Sequence, residues 1–296
     1  MSVTTPEPSS IAPISVGVFA HNEEARIEAA LHALPLDDTD YDIAVIINGA
    51  TDETAVKARA VLAGRPGARV LEYAEGGKAR SWNRFVHEDA TPDREAYAFT
   101  DGDLRLAPGA LAAMRAALKA DAHANAVSAP PLAGRKADAY RAQMARDRTL
   151  FGGLYLLRGA FLERVRAQNC RMPIDVIGED GMVESWVKTD LGRDADWDQS
   201  RVAFCPDAGF YSEHRSIARM SDLIDQWRRL VRYSERRLQN KAITMVMGSD
   251  GVSGLPEQIT PLAAANATLS DVRLHPLYMA PDLFALRRLK ERAEAL

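Results

Sequence analysis

The sequence predicts an α/β fold in which helices flank a doubly wound, mostly parallel sheet. Within residues 13–120, short apolar runs alternate four times with segments of helical periodicity. Each apolar run stops at polar residues or glycines, as expected where strands end at one edge of a parallel sheet. The charged, helix-like segments near the end of the chain predict a smaller helical C-terminal part.

Composition is that of an ordinary globular protein. The 296 residues are 47% hydrophobic and 26% charged, enough for one large domain with a smaller extension. The net charge of −4 implies no general attraction to nucleic acid. The two cysteines, Cys170 and Cys205, form neither a disulfide framework nor a metal-binding pattern, so a reducing compartment is expected.

The sequence predicts a cytoplasmic protein. No lysine or arginine precedes Arg26, so the basic region typical of a signal peptide is not seen at the start of this sequence. No apolar run approaches the roughly 18 residues of a membrane span. Basic residues near the end of the chain (Arg287, Arg288 and Lys290) leave open a peripheral contact with the inner membrane face, although a solvated basic surface is favoured. The oligomeric state is also open, with a homodimer among the options.

The first two apolar runs, residues 14–20 and 43–47, predict buried strands. Asn22 lies in the polar turn after the first strand and is a candidate N-cap. The helix that follows is indicated by apolar residues at helical spacing, namely Ile27, Leu31 and Leu34. The second strand stops at Asn48, and a turn with acidic residues precedes a helix near Thr54.

The third and fourth runs are shorter. Residues 69–73 predict a strand, after which Gly76-Gly77-Lys78 opens a helix carrying Trp82, Phe85 and Val86. Residues 97–101 predict a strand that runs into Asp101-Gly102-Asp103. Pro108 is well placed at the first position of the next helix.

Asp101 and Asp103 are the strongest candidates for a metal site. Gly102 lets the backbone bend between them, so both carboxylates can face one cation, and oxygen ligands suit Mg²⁺ or Mn²⁺. Taken alone, the tripeptide is more simply an acidic turn. Parallel strands end at one edge, however, and ligands bind there. Other polar residues should line the same crevice, namely Asn22, Glu23, Asn48 and Lys78.

The second half is less regular. Gly152 and Gly153 open an apolar run that ends at Arg158, and Ile177–Gly181 forms a second acidic turn before an amphipathic helix. The remaining predictions are a strand at 125–129, a helix at 136–150, a strand at 202–204, a basic helix at 217–241, a Gly- and Pro-rich loop at 248–276 and a helix at 282–295.

Together these motifs resemble those of the family-2 glycosyltransferases, which have the GT-A fold. The resemblance covers roughly residues 14–229, and five motifs occur in the family order. They are the Asn-Glu pair of Val18–Glu24, the turn Ile47–Thr54, the helix start Gly77–Asn83, the Asp101-Gly102-Asp103 motif with Pro108-Gly109, and Gly178-Glu179-Asp180. Ile47 departs from the pattern, because many members have a base-contacting aspartate there, so the nucleobase is open.

The resemblance implies a Rossmann-like GT-A domain at residues 13–215. Its residues 13–120 would form the nucleotide-binding half and 121–215 the acceptor-binding half. Residues 1–12 would be a flexible tail, and 216–296 a helical C-terminal extension.

The implied activity is inverting, metal-dependent transfer of single sugars from a nucleotide-diphosphate sugar, with a UDP-sugar favoured, to an acceptor hydroxyl. The acceptor would be a glycan, a lipid-linked compound or a small molecule. Asp101 and Asp103 would hold Mn²⁺ or Mg²⁺, and His214 is a candidate third ligand, with a surface histidine as the alternative. Asp180 would be the general base and Glu179 a supporting residue.

The resemblance also implies a set of donor contacts: Ala20, Asn22, Glu23, Asn48, Lys78, Asp101, Gly102, Arg228 and Arg229. Lys78 is nearly as well explained as a solvated lysine at a helix end. The two arginines are equally typical of the wet face of an amphipathic helix. Gly152 and Gly153 would border the acceptor pocket or only relieve packing.

Other functions fit less well. A nucleotidyltransferase would have a Gly-rich loop after the first strand, where this chain has His21–Glu24. A dehydrogenase would need Gly-x-Gly-x-x-Gly, and a P-loop would need Ser or Thr where Ala79 follows Gly77-Lys78. A non-catalytic sugar-nucleotide-binding protein remains open, although the paired aspartates and Asp180 argue against it.

Overall fold

The computed structural model describes residues 12–212 and 220–296, and its core is a seven-stranded sheet. The described residues form nine strands, of which β5 and β9 make a separate two-stranded sheet. The strands are β1 Ile14–Ala20, β2 Tyr41–Asn48, β3 Ala68–Tyr73, β4 Ala96–Asp101, β5 Leu104–Leu106, β6 Ala126–Ser128, β7 Leu154–Arg158, β8 Val202–Phe204 and β9 Phe210–Ser212. The order of the seven strands in the large sheet is β3-β2-β1-β4-β7-β6-β8. The mostly parallel sheet predicted from the sequence is therefore confirmed.

The helices follow the predicted alternation with strands. They are α1 Ile27–His32, α2 Thr54–Leu62, α3 Lys78–Arg84, α4 Ala110–Ala120, α5 Ala137–Asp147, α6 Gly159–Ala167, α7 Glu179–Thr189, α8 Met220–Ser249, α9 Thr260–Asn266 and α10 Met279–Glu294. Two apolar cores form. One contains residues of α1, α2 and α4, and the other contains residues of α3, α6, α7 and the C-terminal helices.

The strand directions explain where the polar turns meet. β1 lies between β2 and β4 and is parallel to both, with Val18 opposite Val45 and Thr100. Every residue of β1 and β2 is buried, as expected for central parallel strands covered on both faces. β7 runs antiparallel to β4, with Tyr155 opposite Phe99. The carboxyl ends of β1, β2 and β4 thus meet at one edge.

A second, two-stranded sheet brings a distant part of the chain to that edge. β5 pairs with β9 in antiparallel register, so that Leu104 lies opposite Ser212 and Leu106 opposite Phe210. Because β5 starts directly after Asp103, this pairing fixes the acidic turn against residues about a hundred positions later in the chain.

Some local predictions are wrong. Asn22 is not the N-cap of α1, which begins at Ile27 after Arg26, and Asn22 instead adopts a left-handed turn conformation (φ 53°). Pro108 does not begin α4, because the left-handed Gly109 separates it from Ala110. The predicted loop at 248–276 contains α9, and α8 continues beyond residue 241 to Ser249.

The C-terminal helices are joined by a buried carboxylate. The side chain of Asp282 on α10 is only 1% exposed. It accepts hydrogen bonds from the Arg273 backbone N–H at 2.9 Å and from Arg273 Nη2 at 2.7 Å, and Arg237 Nη2 of α8 lies 3.3 Å away. Asp282 therefore ties α8 and α10 to the segment between them. In the described ranges, no helix is long and apolar enough to cross a membrane.

Asp282→Asn is expected to destabilise the protein by about 2–4 kcal/mol at pH 7, because two arginines lose their buried partner. Burial opposes ionisation of Asp282, but the hydrogen bonds from Arg273 outweigh it and hold its pKa below the usual range. Because its pKa is lowered in the folded state, ionised Asp282 stabilises the protein above about pH 4, and this stabilisation is lost as the pH falls. Urea unfolding should therefore show wild type and variant converging on acidification.

The matched control is Glu294→Gln, an exposed acid at the end of the same helix. It should leave the free energy of unfolding within about 0.5 kcal/mol of the wild type. An Asp282→Asn variant as stable as this control would contradict the anchoring role.

Candidate active site

Two cavities open at the edge where β1, β2 and β4 end, and they adjoin each other. The inner recess, about 370 Å³, is lined by Phe19, Ala20, His21, Glu23, Asn48, Gly77, Lys78, Asp101, Gly102, Asp103 and Arg232. The outer cavity, about 750 Å³, extends from the same acidic turn toward α5, α7 and α8. Lys78, Asp101, Asp103 and Arg232 line both, so these residues mark the junction.

A lysine and two carboxylates form the centre of the junction. Lys78 Nζ lies 2.5 Å from Asp101 Oδ1 and 2.6 Å from Glu179 Oε1. Burial would lower the pKa of Lys78, but the two carboxylates outweigh it and raise that pKa well above its usual value. Burial raises the pKa of Asp101 to about 6 against the opposing effect of Lys78, with Glu179 and Asp103 adding to the rise. Lys78 is thus a charged bridge between β4 and α7.

Close packing positions the acidic turn. A Cβ atom on Gly102 would lie 2.8 Å from the Cβ of Ala20, at the end of β1. The Gly102 amide also donates to the Phe19 carbonyl at 2.7 Å. Gly102 does not have a positive φ. Glycine is therefore needed here because β1 approaches the turn closely, and not because the backbone is left-handed.

The donor atoms at the junction fit a hard divalent cation. Asp101 and Asp103 supply carboxylate oxygens, and Mg²⁺- or Mn²⁺-type ions commonly take one or two carboxylates and complete their coordination with water and substrate phosphates. Among the described residues no group of three His, Cys, Asp or Glu side chains could hold an ion by itself. His214, the predicted third ligand, lies outside the described residues.

The second acidic turn presents Asp180 to the outer cavity. Asp180 lies in the first turn of α7, next to Glu179, and its Oδ1 accepts a hydrogen bond from Arg236 Nη2 at 3.0 Å. Gly178 precedes the helix in a left-handed conformation (φ 92°), and a Cβ there would lie 2.2 Å from Arg236 Cζ. The glycine therefore leaves space for the guanidinium that orients Asp180.

Gly152 and Gly153 both border the outer cavity, and each packs closely against a neighbouring side chain. A Cβ on Gly152 would approach Asp180 Oδ2 to 3.1 Å, and one on Gly153 would meet the Phe210 ring at 2.5 Å. The glycines thus leave room for Asp180 and for the aromatic wall of the cavity.

Polar residues of the inner recess are held by neighbouring turns. His21 Nδ1 lies 2.7 Å from the Asn48 carbonyl oxygen, and Glu23 forms an ion pair with Arg26 at 2.6 Å. The Asn48 side chain is buried and accepts a hydrogen bond from Ser81 at 2.9 Å. Asn22 is absent from the described lining of both cavities, and its Oδ1 accepts from the backbone N–H of Thr51.

The structure brings different arginines to the site than the sequence predicted. Arg232 lines both cavities and Arg236 lines the outer one. Arg228 and Arg229 are exposed on α8, and neither belongs to the described lining of the two cavities. Residues 228, 232 and 236 share one helical face, so the four-residue spacing was the signal that sequence reasoning missed.

The outer cavity also contains residues that no sequence motif identified. They come mainly from the segment before α5, from α5 itself and from the aromatic wall, namely Arg135, Lys136, Tyr140, Phe151 and Phe210. No periodicity or spacing in the sequence connects these positions with the acidic turns, because they meet only through the folding of the sheet.

Comparison with known proteins agrees with this arrangement. The family model described as Glycosyl transferase family 2 matches residues 15–182, more than half of the chain. That range includes both acidic turns and Lys78. No match was found among curated proteins.

Solved structures share the fold at low sequence identity. The mannosyltransferase PcManGT from Pyrobaculum calidifontis, in complex with GDP-Man and Mn²⁺, is 21% identical over 98% of this chain and 81% of its own, with a TM-score of 0.60. Glucosyl-3-phosphoglycerate synthase from Mycobacterium tuberculosis, with Mn²⁺, UDP-Glc and phosphoglyceric acid, is 21% identical over 83% of this chain and 81% of its own (TM-score 0.55).

A third structure is more distant in sequence. The 1-349 fragment of S. aureus TarS, in complex with UDP-GlcNAc, is 14% identical over 95% of this chain and 91% of that fragment, with a TM-score of 0.51. With the family match over residues 15–182 and a fold similar to that of these structures, the chain belongs to glycosyl transferase family 2 and is a glycosyltransferase of the GT-A fold.

Proposed function

We propose that this enzyme transfers a single sugar, with inversion, from a nucleotide-diphosphate sugar to an acceptor hydroxyl. One observation carries the proposal: the paired aspartates lie where a nucleotide-sized recess adjoins a larger cavity that contains Asp180. Donor and acceptor can therefore meet at the junction, with Asp180 on the acceptor side.

The donor would place its nucleoside in the inner recess and its diphosphate at the junction. Glu23 and Asn48 line the recess, and Lys78 and Arg232 supply positive charge at the junction. Arg228 and Arg229, the arginines predicted from the sequence, remain candidates for outer contacts with the donor. UDP is the favoured nucleotide because two of the three structural neighbours above contain UDP-sugars, and GDP is the alternative represented by PcManGT.

Asp101 and Asp103 would hold Mn²⁺, with Mg²⁺ as the alternative ion, and when bound the ion would supply positive charge to the diphosphate. Mn²⁺ is favoured because it accompanies the nucleotide sugar in two of the structural neighbours. His214 stays a candidate third ligand.

Asp180 would act as the general base. Its Oδ1 is held by Arg236, which leaves Oδ2, next to Gly152, to accept the proton of the acceptor hydroxyl. The acceptor oxygen then attacks the anomeric carbon from the face opposite the diphosphate. The bond from that carbon to the diphosphate breaks, and the diphosphate leaves with the electron pair, so the configuration inverts. Glu179 takes no proton in this scheme and instead orients Lys78 through their ion pair.

A thermal-shift panel of UDP-, GDP- and dTDP-sugars, each with and without Mn²⁺, tests the proposal. A ligand that binds the native state raises its melting temperature by mass action. We expect one nucleotide class to raise it, and only when Mn²⁺ is present. No stabilisation by any nucleotide sugar would contradict the proposed function, and stabilisation by UDP-sugars would select UDP over GDP.

A further inference from the structure

Two of the cations that line the outer cavity come from neither acidic turn nor α8. Arg135 and Lys136 line it from the segment immediately before α5, and both are exposed. The acids of the cavity, which are Asp101, Asp103, Glu179 and Asp180, come from the two turns at the junction. The acids of the cavity therefore belong to the junction, whereas these two cations belong to a separate segment of the chain.

The charge balance of the cavity leaves these two cations unused. Lys78 pairs with Asp101 and Glu179, and Arg236 pairs with Asp180. Arg232 borders the inner recess as well, where the donor diphosphate would lie. In contrast, Arg135 and Lys136 have no acidic partner among the described residues. Within the proposed reaction, they are the cations of the cavity that neither the donor nor the general base accounts for.

A wall of three aromatic rings runs from Tyr140 on α5 to Phe210, which packs against Gly153. The rings of Tyr140 and Phe151 are 5.7 Å apart and edge-on, and those of Phe151 and Phe210 are 5.7 Å apart and stacked. All three line the outer cavity. Such a wall suits the carbon skeleton of a small molecule, whereas a charged group would stay in contact with the cations.

We propose that the acceptor is a small anionic hydroxyl compound, whose carboxylate or phosphate ester is bound by Arg135 and Lys136. This rests on the proposed transferase function. Arg supplies a planar pair of donors and Lys a point charge, both of which match these anions. Lys78 and Arg236 compensate the nearby acids, so an anion can enter the cavity without facing uncompensated negative charge at Glu179 and Asp180. The hydroxyl would then reach Asp180 along the aromatic wall.

Calorimetry on the full-length enzyme tests the proposal in two stages. UDP and GDP are first titrated in the presence of Mn²⁺. The nucleotide-saturated enzyme is then titrated with glycerol 3-phosphate, glycerate and glycerol, which share a skeleton and differ in charge. We expect the dissociation constants of the two anions to be at least about tenfold lower than that of glycerol. The anion that binds more tightly shows whether the acceptor carries a phosphate ester or a carboxylate.

The double variant Arg135→Gln/Lys136→Gln should weaken anion binding by at least about tenfold and leave nucleotide binding unchanged. The charge-matched control Arg141→Gln/Lys290→Gln, outside the described cavity lining, should change neither. Nucleotide binding without any preference for the anions, or anion binding unchanged in the double variant, would overturn the acceptor proposal alone. If the wild-type enzyme shows no Mn²⁺-dependent binding of UDP or GDP, the proposed function is overturned instead.

Discussion

Asp180→Asn is expected to lower the rate of sugar transfer by about 10²–10⁴-fold, the range typical of a lost general base. Asparagine keeps the shape of the side chain and can still face Arg236, which now holds Asp180 Oδ1 at 3.0 Å. It cannot take the proton of the acceptor hydroxyl. Product formation, followed by mass spectrometry with the donor that the thermal-shift panel selects, should collapse, while Mn²⁺-dependent nucleotide affinity stays within about twofold of the wild type.

Two further variants separate base chemistry from charge. Asp207→Asn removes an exposed acid outside the described cavity lining and should leave turnover unchanged. Arg236→Gln removes the partner that orients Asp180 and should cost less than the loss of the carboxylate itself. If Asp180→Asn turns over within about threefold of the wild type, the loss is far smaller than that expected for a general base, and Asp180 is ruled out in this role.

The second large effect is expected from Asp103→Asn, which should abolish the dependence of nucleotide binding on Mn²⁺. Asp103 tests the metal site more cleanly than Asp101, because Asp101 also pairs with Lys78 and its replacement would disturb the bridge to Glu179. We expect Mn²⁺-supported affinity to fall at least as far as the roughly 10–100-fold loss seen when groups that support metal ligands are removed.

Calorimetric titration of the nucleotide with and without Mn²⁺ measures this effect. The control is Asp93→Asn, an exposed aspartate with φ 58°, a conformation that asparagine also tolerates. If Asp103→Asn binds nucleotide as tightly as the wild type and equally dependent on Mn²⁺, the metal is held elsewhere.

The sheet was predictable because its central strands are continuous apolar runs. Residues 14–20 and 43–47 show this pattern, and each stops at a polar turn. The convergence of Glu23, Asn48, Lys78 and the two aspartates followed from parallel strand direction alone. The reversed direction of β7 did not, since it depends on pairing with β4, about sixty residues away in sequence.

The parts of the site that sequence reasoning missed depend on tertiary packing. Arg232 and Arg236 belong to a helix that was predicted as basic, and their four-residue spacing from Arg228 places them on one face. Only the packing of α8 against the site, however, decides which of its turns reaches the cavities. The bridge formed by Lys78 likewise requires β4, α3 and α7 to meet at one point. The short helix α9 was hidden in a Gly- and Pro-rich segment, where its seven residues give too little periodicity to detect.

The continuous helix α8 fixes the distance between two arginines of the active site. Arg232 and Arg236 are four residues apart on it, so their backbone positions are separated by about 6 Å along the axis. In the proposed reaction, Arg232 would face the leaving diphosphate, and Arg236 would hold Asp180, the proposed base. Because one continuous helix carries both arginines, a shift of α8 along its axis would move the proposed diphosphate contact and the partner of Asp180 together.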